Sequence, residues 1–348
     1  MKIVHFAPFA PCACGLYEAA RDMVIADREA GHEAFLVDVG VTINKEYVQG
    51  SAGKIDDRGG TTVYSIDPQI ADSADIIIAH TGIPDNWIVK SQAPIIWILH
   101  GRPTACFKPE QFGTGHSYSL IAELAKWPRV KKMITFWPYH VKYWLPIIPS
   151  DKLICFPAPP IDEKRFSING PKHDFAELGG KWNLMLADSW REDVDLYEIT
   201  HGVIEFAKNT AGVKFHFYGM ETPLRCWEFL IANLRKFNAL GEVWARRPNI
   251  EEIYRSVDIL LTPQRIVTRV VGEALSCQTP VIAANDCKFA TYLMDPGDPE
   301  DIANTIRNAI AELNFDPEIV KNKVYKASKA LSLSQYNIEI NEIYNKLI

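Results

Sequence analysis

The chain of 348 residues lacks any apolar window approaching the ~18 residues that a membrane-spanning helix needs. Its opening, MKIVHFAPFAP, has one lysine and too short an apolar stretch for a secretion signal, and suits a buried first strand. No Cys-x-x-Cys pair occurs among the seven cysteines. Cys12 and Cys14 alone stand close, at a spacing that suits neither zinc nor a redox couple. The expected setting is a reduced, cytoplasmic one with incidental thiols. Beyond the first apolar run, APFAPCACGLYEAA lacks G-x-G-x-x-G, so the turn that grips a dinucleotide pyrophosphate is missing. A G-x-x-x-x-G-K-[ST] loop is also missing, which excludes a P-loop enzyme. No predicted strand ends in D-x-D, so the sequence requires no metal. Short repeats, low-complexity tracts and coiled-coil heptads are all absent.

What is present is ordinary globular composition, 47% hydrophobic and 23% charged, on a chain long enough for two domains. The net charge of −6 argues against a general nucleic-acid coat but conceals an asymmetry. Between His100 and Leu145 stand Arg102, Lys108, Lys126, Arg129, Lys131, Lys132 and Lys142 against only Glu110 and Glu123. The same segment carries Phe107, Phe112, Tyr118, Trp127, Phe136, Trp137, Tyr139, Tyr143 and Trp144. Bases interleaved with flat rings suit an anionic polymer; the plainer account is that several rings are core and the lysines merely solvated.

Apolar runs alternate with helical stretches throughout, which predicts parallel sheets covered by helices. Strands are expected at Ile3–Phe6, Ala34–Val37, Ile76–Ala79, Ile95–Leu99, Met133–Phe136 and Leu153–Cys155. A second set is expected at Leu184–Ala187, Lys214–Tyr218, Glu242–Ala245, Ile259–Leu261 and Val281–Ala284. The polar, glycine-rich SINGPKHDFAELGGK between the sets looks like a linker. Helices are expected over Asp298–Leu313 and Pro317–Leu331, with a last segment from Ser334 to Leu347.

The run VVGEALSCQTPVIAAN, from Val270 to Asn285, is the most informative. It reads as a short helix carrying one acid, Glu273, followed by a buried strand. The helix start points backbone N–H groups, including those of Val270 and Val271, toward a ligand. An acid one turn in is placed to accept hydrogen bonds from two vicinal hydroxyls, as on a ribose; otherwise it is a surface acid on an ordinary helix. The run resembles the nucleotide-sugar signature of retaining GT-B glycosyltransferases of the glycosyltransferase 4 type. Further resemblances follow in the family's order. GLYEAARDMVIADREAGHEAFLV opens with Gly15, where a missing Cβ lets a ligand approach, and closes on Gly31, His32 and Glu33. APIIWILHGRP puts His100 beyond an apolar strand, with His80 in IIIAHTG as a weaker parallel. KLICFPAPPIDEKRF has Asp162 and Phe166 in register, and VWARRPNIEEIYRSVDILLTP contains Arg246.

The resemblance implies a GT-B fold: two Rossmann-like domains, residues 1–165 for the acceptor and 166–330 for the donor, facing across a cleft. Residues 331–348 would return as a helix to the first domain. It implies a hexosyl- or pentosyltransferase acting with retention on a nucleoside diphosphate sugar, foremost a UDP-sugar. His100 would touch the donor sugar or help position it against the acceptor hydroxyl, and Glu273 would hold the ribose. Arg246 would lie near the base, with Gly15, Gly219, Val270 and Val271 also against the donor. The acceptor would be a saccharide or, through residues 100–145, a hydroxymethylated base in DNA, as in bacteriophage enzymes of this fold.

Two departures stand out. Arg265 occupies the place of the first of two glutamates that have seven residues between them, in a loop about two residues shorter than usual. Of the Arg–x4–Lys pair that neutralises the diphosphate, LADSWREDVDLYEI offers only Arg191. Arg265 and Arg269 are the candidates to supply the missing charge. The same losses would suit a non-catalytic nucleotide-sugar-binding or regulatory protein on this scaffold, and a nucleotide-sugar epimerase is a third option.

Overall fold

A computed structural model describes residues 1–7, 15–39, 41–43, 46–48, 64–65, 67–83, 87–100, 103, 117–187, 196–219, 226–245 and 249–348. The chain forms two compact units, Met1–Pro160 with Leu333–Ile348, and Ile161–Ser332. The first opens with β1 (Lys2–Ala7), α1 (Gly15–Glu29) and β2 (Glu33–Asp38), followed by the hairpin β3 (Val41–Ile43) and β4 (Glu46–Val48). Next come β5 (Tyr64–Ser65), β6 (Ile76–Ala79), β7 (Ile95–Leu99), α2 (Tyr118–Lys126), β8 (Val130–Phe136), α3 (Val141–Trp144) and β9 (Leu153–Phe156). Seven strands make a parallel sheet in the order β5-β2-β1-β6-β7-β8-β9.

The middle strands β6 and β7 are buried along their whole length, as strands covered on both faces must be. Alternation assigns Val4, Phe6, Ile77, Ala79, Ile95, Trp97 and Leu99 to one face, packed with Ile121, Ala125 and Trp144. The opposite face carries Ile3, Ile78 and Ile98 and, among them, His5, His80 and His100. Gly31 follows α1 at φ +85°, the left-handed position that a helix exit requires, and the Gly31 and His32 amides donate back to Arg28 and Asp27 carbonyls.

The second unit is built from β10 (Trp182–Ala187), α4 (Leu196–Asn209), β11 (Val213–Tyr218), α5 (Cys226–Lys236), β12 (Leu240–Trp244), α6 (Ile250–Tyr254) and β13 (Ile259–Leu261). It continues with α7 (Arg269–Ser276), β14 (Val281–Ala284), β15 (Tyr292–Met294), α8 (Pro299–Phe315) and α9 (Pro317–Ala330). Its six strands are parallel, ordered β12-β11-β10-β13-β14-β15. Helices α4, α5 and α8 cover one face through Ile199, Val203, Leu230, Leu234, Ile302 and Ile306. Strand β15 was not expected: Tyr292–Met294 is only three residues long, too short for its pattern to announce a strand.

The linker-like stretch after Phe166 is bound to this second unit. Arg255 donates to the carbonyls of Arg165 (2.9 Å), Ser167 (2.7 Å) and Pro171 (3.1 Å). Phe175 packs 4.1 Å from the His216 ring, which stacks on Trp244. His216 Nδ1 accepts the Glu242 amide at 3.0 Å, so its Nε2–H donates to Asn183 Oδ1 at 3.1 Å.

The last helix, α10 (Leu333–Tyr344), belongs to the first unit and lies on α1. Asn337 Nδ2 donates to Ala26 O at 2.9 Å, and His32 Nε2 pairs with Asn341 Oδ1 at 2.6 Å. Tyr344 Oη donates to both oxygens of Asp27, at 3.1 and 3.3 Å.

A hydrogen bond to a buried carboxylate contributes about 1.5–3 kcal/mol, and Tyr344→Phe should lose that much in equilibrium denaturation. Burial, reinforced by His173 and Lys214, pushes the His216 imidazole down from 6.5 to about 3. The unfolded chain therefore takes a proton at this residue near pH 6.5 that the folded chain refuses until about pH 3. Stability held above pH 6.5 is lost as the pH falls through that window, by up to about 1.4 kcal/mol per pH unit for one proton. His216→Gln should flatten the acid limb of a stability–pH curve over this range.

Candidate functional site

In the second unit the candidate site is the start of α7. Arg269, Val271, Gly272, Glu273, Ala274, Leu275 and Ser276 of this helix are all buried. Gly272 is what allows so close a seat: a Cβ there would lie 2.7 Å from Ile161 Cγ1. Among the described residues, Arg269 and Tyr254 hold Glu273. Arg269 meets Oε1 through Nε at 3.1 Å and Nη2 at 3.0 Å, one turn earlier on the helix. Tyr254 Oη donates to Oε2 at 3.3 Å. Burial, and after it the Glu273 charge, pushes the Tyr254 hydroxyl well above its ordinary value, so it remains a donor at any working pH. Both charges of the ion pair are about nine-tenths buried, and such pairs contribute little net stability because desolvation offsets their attraction.

Thr268 takes the N-cap place at φ −74°, ψ 170° without a side-chain capping bond, and its buried Oγ1 has no hydrogen-bond partner. Free amides, a spare hydroxyl and the positive end of the helix dipole favour an anion here. Arg265 is more than half exposed, 3.7 Å from Asp286. The structure thus brings Arg269, Val270, Val271 and Glu273 onto one short helix, with Arg265 in the loop before it. Gly219 ends β11 at φ +88°, its amide bonded to Trp244 O at 3.0 Å, a conformation that itself selects glycine. Arg191 and Arg246 lie outside the described residues.

In the first unit, Gly15 is the exposed first residue of α1, where an added Cβ would meet nothing within 4 Å. His100 stands half-buried just past β7, with Phe136 5.6 Å from its ring. Its Nε2 lies 2.8 Å from His80 Nδ1. His80 Nε2 lies 2.9 Å from His5 Nδ1, and His5 Nε2 lies 2.7 Å from Asp27 Oδ2. Sequence reasoning missed His5, Asp27, Tyr254 and Thr268. One signal was available for His5: three apolar runs, IVHF, IIIAH and IIWILH, each carry one histidine.

The basic, aromatic segment divides. Phe136, Trp137 and Trp144 are core, and Arg129 is spent on the carbonyls of Ile88 and Ala93. Lys132 reaches Asp151 O at 2.6 Å. Tyr139 is half exposed, and Lys142 Nζ sits 5.1 Å from its ring and 5.3 Å from that of Tyr143. Arg102, Phe107, Lys108, Glu110 and Phe112 lie outside the described residues. No helix among the described residues is long and apolar enough to cross a membrane.

Against this geometry stand the comparisons with known proteins. Residues 196–312 match the family described as glycosyl transferases group 1. No curated protein sequence matches the chain. HepE from Anabaena, solved with UDP and glucose, is similar at 15% identity and a TM-score of 0.72, with 100% of each chain covered. A glycosyltransferase from Rickettsia africae is similar at 15% identity and a TM-score of 0.70, covering 99% of this chain and 98% of that one. An alpha-glucosyltransferase in complex with UDP and a 13-mer DNA containing an HMU base is similar at 12% identity and a TM-score of 0.64, with 99% of each chain covered. At these identities the likeness is one of fold. The chain has the GT-B glycosyltransferase fold of two Rossmann-like units, and the second contains the segment that matches the group 1 family.

Gly272→Ala would gain about 1 kcal/mol of helix propensity but force Ile161 aside, and overpacking costs about 1–3 kcal/mol. A lower denaturation midpoint is expected, with the Ile161→Ala double variant losing less than the sum of the two single changes.

Proposed function

We propose that this protein moves a hexose or pentose from a nucleoside diphosphate sugar, foremost a UDP-sugar, to an acceptor hydroxyl with retention at the anomeric carbon. One observation carries the reading. A buried carboxylate, Glu273, stands one turn inside a short helix whose first turn has an unpartnered buried hydroxyl, and the helix lies within the segment that matches a glycosyl transferase family. The ribose diol would accept the role now played by Arg269 and Tyr254, each vicinal hydroxyl donating to one oxygen of Glu273. Released from Oε1, Arg269 becomes a cation beside the diphosphate, and the exposed Arg265 is a second. Arg191 is a third candidate, and Arg246 would lie near the base. Val270 and Val271 would contribute backbone amides. Gly15 and Gly219 complete the proposed donor contacts. The binding of UDP by two of the similar structures supports this choice of donor.

The first unit would take the acceptor, a saccharide or a hydroxymethylated DNA base, with His100 acting at the acceptor hydroxyl and the donor sugar. Departure of the diphosphate opens the anomeric carbon, and the hydroxyl attacks the face the diphosphate leaves. Lys142 with Tyr139 and Tyr143 is the described surface suited to a nucleic acid, and the DNA-bound similar structure gives that acceptor its support. The free thiols of Cys155, Cys277 and Cys287 accord with work in the cytoplasm.

Thermal unfolding of the wild type and Glu273→Gln against UDP, GDP and ADP tests the donor site. A nucleotide at a hundred times its dissociation constant adds about 2.7 kcal/mol to the wild type. The same nucleotide should add little to the variant, whose amide cannot accept from two hydroxyls through two oxygens. No shift with any nucleotide would retire the proposal. Affinity for hydroxymethylated duplex that falls steeply with salt would select DNA as acceptor.

A further inference from the structure

Three parallel strands each place one imidazole on the same face of the first sheet. Register makes the arrangement a staircase: His5 on β1 lies opposite Ile78 of β6, and His80 is two residues further on. His100 repeats the step beyond β7, since Ala79 pairs with Trp97. Each step of two keeps the side chains on one face and carries them toward the carboxyl edge. The result is a continuous row: Asp27 Oδ2 to His5 Nε2 at 2.7 Å, His5 Nδ1 to His80 Nε2 at 2.9 Å, and His80 Nδ1 to His100 Nε2 at 2.8 Å. Asp27, His5 and His80 are buried, and His100 is half-buried.

A neutral imidazole has one donor and one acceptor, so the row is self-consistent both with His5 neutral and with His5 charged. The Asp27 carboxylate accepts from Tyr344 Oη and from His5 Nε2–H in both. With His5 neutral, its Nδ1 accepts from His80 Nε2–H, whose Nδ1 accepts from His100 Nε2–H; His100 Nδ1 is then an acceptor. With His5 as imidazolium, every bond between the rings reverses, and His100 Nδ1 becomes a donor. The two states differ by one proton. It enters at His100 Nδ1; the Nε2–H of His100 passes to His80 Nδ1, and the Nε2–H of His80 passes to His5 Nδ1.

We propose that this row is a proton relay, in which a proton taken up at His100 Nδ1 leaves its charge on His5 beside Asp27 while His80 and His100 stay neutral. Under the transferase reading, on which only the catalytic use of the relay rests, the proton is that of the acceptor hydroxyl, whose oxygen forms the new glycosidic bond. His5, His80 and Asp27 act through His100 and are positioning residues. The groups around the charged end are Asp27 on α1, Tyr344 and Tyr336 on α10, His80 just past β6 and Asp38 at the end of β2. Glu18, Arg21 and Asp22 on α1 pair among themselves. Burial, with His100 and His5 as neighbours, pushes His80 well below its ordinary value, so the middle ring refuses the charge. An apolar row would cost less to bury than three imidazoles and a carboxylate.

Nitrogen-15 NMR of the full, ligand-free chain with labelled histidine, titrated between about pH 5 and 9, tests the relay where imidazoles change charge. One midpoint shared by the three rings is expected. Below it, both nitrogens of His5 become pyrrole-like, while His80 and His100 exchange Nε2–H for Nδ1–H. In Asp27→Asn, which keeps the shape but removes the counter-charge, the shared midpoint should fall by about one pH unit or more. Separate midpoints, imidazolium at His80 or His100 before His5, no coupled transition, or a midpoint unmoved in Asp27→Asn would each overturn the proposal. If transfer is measured, kcat in Asp27→Asn should drop on the order of 10²-fold with the donor KM unchanged. A coupled titration alongside unchanged kcat would uphold the relay and remove only the catalytic role assigned to His100.

Discussion

The first unit is organised around a carboxylate that water cannot reach. Asp27 is fully buried on α1, and a charge in that place must be met by hydrogen bonds. One comes from His5 on β1 and the other from Tyr344 on α10, so the first strand, first helix and last helix converge on two oxygen atoms. The remaining contacts of α10 complete what this one begins: Asn337 on the Ala26 carbonyl and Asn341 on His32 fix the rotation of the helix.

The second unit solves a similar problem for another purpose. Glu273 is also a carboxylate on a helix pressed against a sheet, and it too has a tyrosine hydroxyl and a basic side chain as partners. The difference lies in where the base comes from. His5 belongs to another element and locks Asp27 into the fold. Arg269 belongs to the same short helix, one turn before the acid it holds. A clamp between elements and a clamp within one helix are thus built from the same chemical parts.

Much of this was written in the sequence. Strands β6 and β7 are legible to the residue because burial on both faces leaves an unbroken apolar run. Gly31 is legible because only a residue without Cβ rests easily at φ +85°. Glu273 was singled out by the resemblance of its helix and following strand to a family signature, and the structure buries it. The partners were hidden for a physical reason. Tyr254 stands nineteen residues from Glu273, and only the packing of α6 beside α7 brings them together. The residues after Phe166 read as linker because their anchors are main-chain carbonyls, which leave no trace in side-chain pattern. The histidine staircase needs strand order and register, neither of which is local.

The contact between Asp27 and Tyr344 spans 317 positions of sequence, which has a consequence for biosynthesis. A chain emerging from the ribosome makes Asp27 long before the Tyr344 hydroxyl that helps to satisfy it. The whole of Ile161–Ser332 is synthesised in between, with its sheet and helices contained in one uninterrupted stretch. The usual order, N-terminal domain first, is therefore inverted. The nascent first unit waits with one partner of its buried carboxylate still missing until α10 has been made.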